Sequence, residues 1–176
     1  MSEVLNAIER RCATRGYTKK ELTEEELNNL LRAGLQAPTA TNRQEIHITV
    51  VDGTHPILKE IEDLKNLERG TPNPQHNFYF EAPTVLLLSA EKAFSWAPVD
   101  AGIAVENIAL AAEAMGLGSL IIGCIKNALT GDKKDYFAKA LKFPEGYEFA
   151  IAIAIGHKAV TKEPHVYSIE KNVSFL

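Results

Sequence analysis

The sequence predicts a single domain of α+β or α/β type, with helices on both sides of a small sheet. Three observations carry that expectation. Helical and strand-like segments alternate along 176 residues without an internal repeat. A helix over 99–115 is apolar around most of its circumference, as a buried central helix must be. Phe149, Ile151, Ile153 and Ile155 alternate with Ala150, Ala152 and Ala154, the two-residue period of a strand.

In chain order, residues 2–11 read as a short helix with Val4, Leu5 and Ile8 on one side, broken at Arg15-Gly16. Thr23 and Glu26 form the S/T-x-x-E capping box, and Leu27, Leu30, Leu31, Gly34 and Leu35 follow at helical spacing. This helix of about 14 residues should stop near Ala37, since Pro38 disfavours helical geometry in the residue before it. Ile46, Ile48 and Val50 alternate with His47, Thr49 and Val51 as a strand ended by Asp52-Gly53. A short helix is expected over 56–65, then a long loop from Asn66 to Pro83, rich in proline, amide and aromatic residues. Thr84–Leu88 is a continuous apolar run suited to a buried strand. Gly116 and Gly118 should end the central helix, with a strand at Leu120–Ile125 and a helix near 131–141 beyond. In the last twenty or so residues Tyr167, Ile169, Val173 and Phe175 recur with a period of two, and such a tail is expected to wrap onto a second subunit.

The bulk properties remove several function classes. Nineteen Lys and Arg against 23 Asp and Glu give a formal charge of −4, with no basic stretch that could follow a nucleic-acid backbone. Cys12 and Cys124 lack disulfide-framework or CxxC spacing and read as reduced thiols. No apolar leader or membrane-length run is visible, so a cytoplasmic protein is expected. The five histidines show no metal-ligand spacing, and no G-x-S-x-G elbow is present. The glycines of AMGLGSLIIG follow a helix and lead into a strand, the reverse of a dinucleotide fingerprint, and read as a helix cap.

Two polar segments stand at element ends. Arg10, Arg11 and Arg15 place three guanidiniums within six residues; taken alone they read as a solvated charge run. Pro38-Thr39-Ala40-Thr41-Asn42 reads either as a helix stop with turn chemistry or as a polar cradle. Together with His157, Lys158, Lys162 and His165 they would suit a ligand with a phosphate, a polyol chain and a heteroaromatic edge.

With RCATRGY at 11–17, APTATNRQ at 37–44, AMGLGSLIIG at 114–123 and EGYEFAIAIAIGH at 145–157, the chain resembles the nitroreductase family of flavin-dependent oxidoreductases. The resemblance implies an α+β fold with a central, mostly antiparallel sheet flanked by helices, and a homodimer that exchanges C-terminal tails and holds one FMN at each of two subunit interfaces. It places Arg11, Cys12, Ala13 and Arg15 beside the phosphate, ribityl chain and pyrimidine edge. Pro38, Thr39, Ala40, Thr41 and Asn42 would form the ribityl and ring-edge segment supplied by the other subunit. Ile122 and Gly123 would form the turn beside flavin N5, and Lys162 and His165 would complete the phosphate site. Ala13 stands where a serine is common, and Glu45-Ile46 where proline and an aromatic residue often follow the glutamine. The implied activity is hydride transfer from NADH or NADPH through FMN to an electron-poor small molecule such as a nitroaromatic or quinone, with no side chain in a catalytic role. Phe78, Tyr79 and Phe80 are candidate walls for that acceptor, or plain packing. A flavin-binding or redox-sensing module of low turnover, and a specialised flavin reductase or dehalogenase, remain open at the level of sequence.

Overall fold

A computed structural model describes residues 2–69 and 76–176. Four strands form one antiparallel sheet in the order β1-β2-β4-β3, with β1 at His47–Asp52, β2 at Thr84–Glu91, β3 at Leu117–Ile122 and β4 at Tyr147–His157. On one face lie α2 (Glu24–Leu35) and α4 (Ala97–Ala114); on the other lie α3 (Pro56–Arg69), α5 (Lys126–Thr130) and α6 (Lys134–Ala140). Helix α1 (Glu3–Arg10) packs on α4, and α7 (Ile169–Asn172) sits in the tail. The order of layers follows from burial: β2 and β4 are central and apolar on both faces, so each face needs a covering layer of helices.

The capping box forms as expected. The Glu26 N–H donates to Thr23 Oγ1 at 3.1 Å and the Thr23 N–H to Glu26 Oε2 at 2.7 Å. Helix α4 carries alanines where it meets the sheet: Ala104, Ala109 and Ala112 are buried against the Ile153 and Ile155 face. Close approach therefore comes from small residues on the helix, while the small Ala152 and Ala154 face of β4 meets the opposite layer.

Four sequence expectations need correction. Phe149 does not share a face with Ile151, because a bulge opposite Leu88 and Ser89 leaves Ala150 unpaired and moves Phe149 to the Ala152 and Ala154 side. Gly116 ends α4 with φ +75°, but Gly118 belongs to β3, which begins at Leu117. The helix expected near 131–141 forms as α6, preceded by the short α5, whereas Tyr167 to Phe175 contains α7 and no strand. Residues 66–69 finish α3, so only the later part of the expected loop is loop; 70–75 lie outside the described residues. Among the described residues no helix is long and apolar enough to cross a membrane.

Gly118 lets the segment after α1 lie against β3. A Cβ there would stand 2.7 Å from Thr14 Cγ2 and 2.9 Å from Lys158 Cγ. Gly118→Val should therefore destabilise the protein by about 1–3 kcal/mol, the usual cost of overpacking. Urea denaturation measures it, and an unchanged midpoint would sink this account of the contact.

Candidate functional site

Residues 11–19 run along the outer edge of β3 and then cross to the end of β4. Ala13 bridges Ser119 in parallel, Thr14 N–H donates to the Ser119 carbonyl at 2.9 Å, and Thr18 N–H donates to the His157 carbonyl at 2.9 Å. Tyr17 fastens the turn from beneath: its hydroxyl lies 3.1 Å from the Thr14 carbonyl and 3.3 Å from the Ala154 carbonyl. Burial raises the Tyr17 phenol far above its ordinary range, which keeps it a donor. On this strip Arg11 is half-buried and pairs with Glu106 of α4 at 3.3 Å. Arg15 is exposed, has no carboxylate partner among the described residues, and lies 5.9 Å over the Phe80 ring. Cys12 is a free, half-buried thiol.

The cradle over 38–45 is built by strain and by one buried acid. Thr41, Asn42 and Gln44 all adopt left-handed backbone, with φ of 56°, 56° and 55°. For residues with a Cβ this costs about 1–2 kcal/mol each, most for β-branched Thr41. Opposing that cost, the Ala40 N–H donates to Asp100 Oδ2 at 3.0 Å, the Gln44 N–H to Thr39 Oγ1 at 2.9 Å and the Gln44 amide to Asn42 Oδ1 at 3.1 Å. Arg43 closes the outer side, 2.6 Å from Glu91 and 4.7 Å over the Phe94 ring. Strain held by such a set of bonds gathers at functional sites. Pro38, Thr41 and Asn42 are exposed, while Thr39 and Ala40 are half-buried.

Gly123 is exposed just past the end of β3 beside Ile151, whereas the Ile122 side chain is buried. A cavity of about 390 Å³ opens next to this turn, lined by Phe94, Ile121, Lys126, Phe149 and Ile151 among others. Tyr79 is a core residue, so of the three aromatic residues expected as walls only the half-buried Phe78 and Phe80 are available. Lys162 and His165 are exposed in the tail. The cations that do converge on the strip are Arg10 and Lys158, both bound to Glu113, at 3.6 and 2.6 Å.

These pieces are strung along α4: Asp100 anchors the cradle near its start, Glu106 takes Arg11 about 9 Å further on, and Glu113 anchors Arg10 and Lys158 about 20 Å from Asp100, at 1.5 Å of rise per residue. Asp100, Glu106 and Glu113 escaped the sequence reading as site residues. The signal was present: acids inside a helix that is otherwise apolar on nearly all sides must have partners.

A family model described as the nitroreductase family matches residues 8–157. The chain belongs to the nitroreductase family. The solved nitroreductase with bound FMN from Bacteroides fragilis NCTC 9343 superimposes with a TM-score of 0.87 at 28% identity, covering 100% of each chain. A protein of Archaeoglobus fulgidus named as a putative NADH dehydrogenase/NAD(P)H nitroreductase is 26% identical over 168 residues, 93% of this chain and 90% of the relative. An FMN reductase (NADPH) of Bacillus subtilis is 27% identical over 173 residues, 90% of this chain and 67% of the relative.

The strained cradle of this nitroreductase-family chain gives a direct test. Thr41→Asn should stabilise the fold by up to about 1 kcal/mol, because asparagine tolerates left-handed backbone better than a β-branched residue. A lowered thermal midpoint would contradict that assignment of strain.

Proposed function

We propose that this protein is an FMN-dependent NAD(P)H oxidoreductase, acting as a homodimer whose two cofactor sites each combine residues of both subunits. The observation that carries the reading is the pair of half-sites: a strip on the edge of β3 whose Arg15 guanidinium has no carboxylate partner among the described residues, and a strained polar cradle elsewhere along α4. A second copy of the chain would supply the missing half of each. Exposed apolar residues support that arrangement, among them Val4, Leu5 and Ile8 of α1, Trp96, and Val99 and Ile103 of α4. In the tail, Tyr167, Ile169, Val173 and Phe175 are exposed as well, with Phe175 at 88%. The FMN bound in the Bacteroides structure and the names of the two relatives support the FMN and NAD(P)H parts of this reading.

The residues present fit the cofactor. Arg15 can meet a phosphate or the electron-rich pyrimidine edge with charge-assisted bonds, and there it would stabilise negative charge at that edge. Thr39, Thr41 and Asn42 can meet a polyol chain with hydroxyl and amide groups, held in place by the bonds inside the cradle. Gly123 would leave the ring face unobstructed next to its backbone. Arg11 would act less directly, because Glu106 already takes its charge. Lys162 and His165 would reach the phosphate only when the tail lies on a partner. When bound, FMN supplies the hydride chemistry, in ping-pong order, between NADH or NADPH and an electron-poor acceptor such as a nitroaromatic or quinone. The protein's part is to bind, orient and shield. The cavity beside Gly123, with Ile121, Phe149 and Ile151 in its wall, would receive a flat apolar acceptor.

Purified protein should bind FMN with loss of flavin fluorescence and oxidise NADH or NADPH in the presence of menadione. Arg15→Ala should weaken FMN by roughly ten- to a hundredfold, the worth of about 1.5–3 kcal/mol for a bond to a charged group. A colourless protein that gains no flavin absorbance when FMN is added would refute the reading.

A further inference from the structure

Glu45 ends the cradle and is 3% exposed, and among the described residues its carboxyl oxygens meet no donor at ordinary hydrogen-bond geometry; the nearest is its own backbone N–H. The side chain that faces it as a hydrogen-bond partner is Asp100 of α4, itself 2% exposed. Asp100 is also the group that receives the Ala40 N–H at 3.0 Å. Two carboxylates in contact away from water repel each other and have no hydrogen to share; with one proton between them they form a hydrogen bond instead. The other charged group acting on Glu45 is Arg43 of its own segment, and that guanidinium is already held by Glu91 of β2 at 2.6 Å. The pair is therefore completed most simply by a proton.

We propose that Glu45 and Asp100 form a proton-sharing clasp that holds the 39–44 cradle in its cofactor-binding shape, so that loss of the proton loosens the cradle and weakens FMN binding. The proposal rests on the FMN reading above, and makes Glu45 a positioning residue. Burial first, and the neighbouring Asp100 with it, push the Glu45 carboxyl up from its ordinary value of 4.5 against the opposing pull of its own backbone N–H and of Arg43. The sign follows directly. An acid whose folded value is raised keeps its proton where the unfolded or loosened chain has lost it, so the clasp is fully formed below 4.5 and fails as pH rises through the raised value. A glutamine at this position would donate to Asp100 at every pH; glutamate makes the clasp titrate.

The test compares the apoprotein with Glu45→Gln, measuring the FMN dissociation constant by fluorescence quenching from about pH 5 to about pH 8. Taking the ratio of the two proteins at each pH cancels the titration of the FMN phosphate. The ratio should grow in favour of Glu45→Gln as pH rises, by on the order of tenfold across the range. The thermal midpoint of the wild-type apoprotein should fall relative to Glu45→Gln over the same range, and a protonated-carboxyl infrared band should be missing from the variant. Asp100→Asn, which removes the like charge and leaves an oxygen for the Ala40 N–H, should flatten the wild-type dependence and serves if the first variant does not fold. A constant ratio together with a constant difference in midpoints overturns the proposal. If neither protein binds FMN, the functional reading and the cofactor half of this proposal fall together, while a pH-dependent difference in midpoints identifies the clasp without them.

Discussion

Helix α4 is buried on most of its surface, and every polar side chain it carries into that environment has to find a partner inside the protein. The partners are the segments that build the site. Asp100 takes the Ala40 N–H, Glu106 takes Arg11, Asn107 donates to the Ala33 carbonyl at 3.2 Å, and Glu113 takes Arg10 and Lys158. Leaving the buried Asp100 or Glu113 charge unpaired would cost several kcal/mol, whereas Glu106, with 45% of its side chain exposed, holds Arg11 less firmly. The packing of α4 on the sheet thus fixes where the cradle and the arginine strip stand.

Strain and edge geometry decide the local shapes. The cradle holds three left-handed residues in four positions, which persists only because its carbonyls, hydroxyls and the Asp100 carboxyl over-determine it. The arginine strip takes up the free edge of β3, so an edge that could pair with another chain is covered by backbone that also presents Arg15. Both segments are therefore held in shape by the protein's own bonds, as expected of a site prepared before binding.

Much of the fold was legible because its signals are local. The capping box at Thr23, the apolar circumference of 99–115 and the left-handed cap at Gly116 each report on a few neighbouring residues, and each holds. What was not legible depends on contacts distant in sequence. The unpaired Ala150, which sends Phe149 to the other face, is set by register against β2; the early start of β3 is set by Thr14 lying over Gly118. For the site, the arginine and cradle segments could be named only through family resemblance. Nothing local tells that Ala40 and Asp100, sixty positions apart, hold one another. Glu45 appeared in the sequence as a departure from the family pattern, and its burial against an acid gives that departure a physical meaning.

The two half-sites on one chain make the proposed sharing of each cofactor between subunits the centre of the account. Complementation measures it most directly. Arg15→Ala and Asn42→Ala, one lesion in each half, are each purified with impaired FMN binding, then co-unfolded and refolded as an equal mixture. If the halves come from different subunits, mixed dimers carry one intact site and one doubly damaged site, and about a quarter of all sites regain wild-type affinity for a symmetric dimer. If both halves came from the same chain, every site in the mixture would keep one lesion, and no wild-type affinity would return.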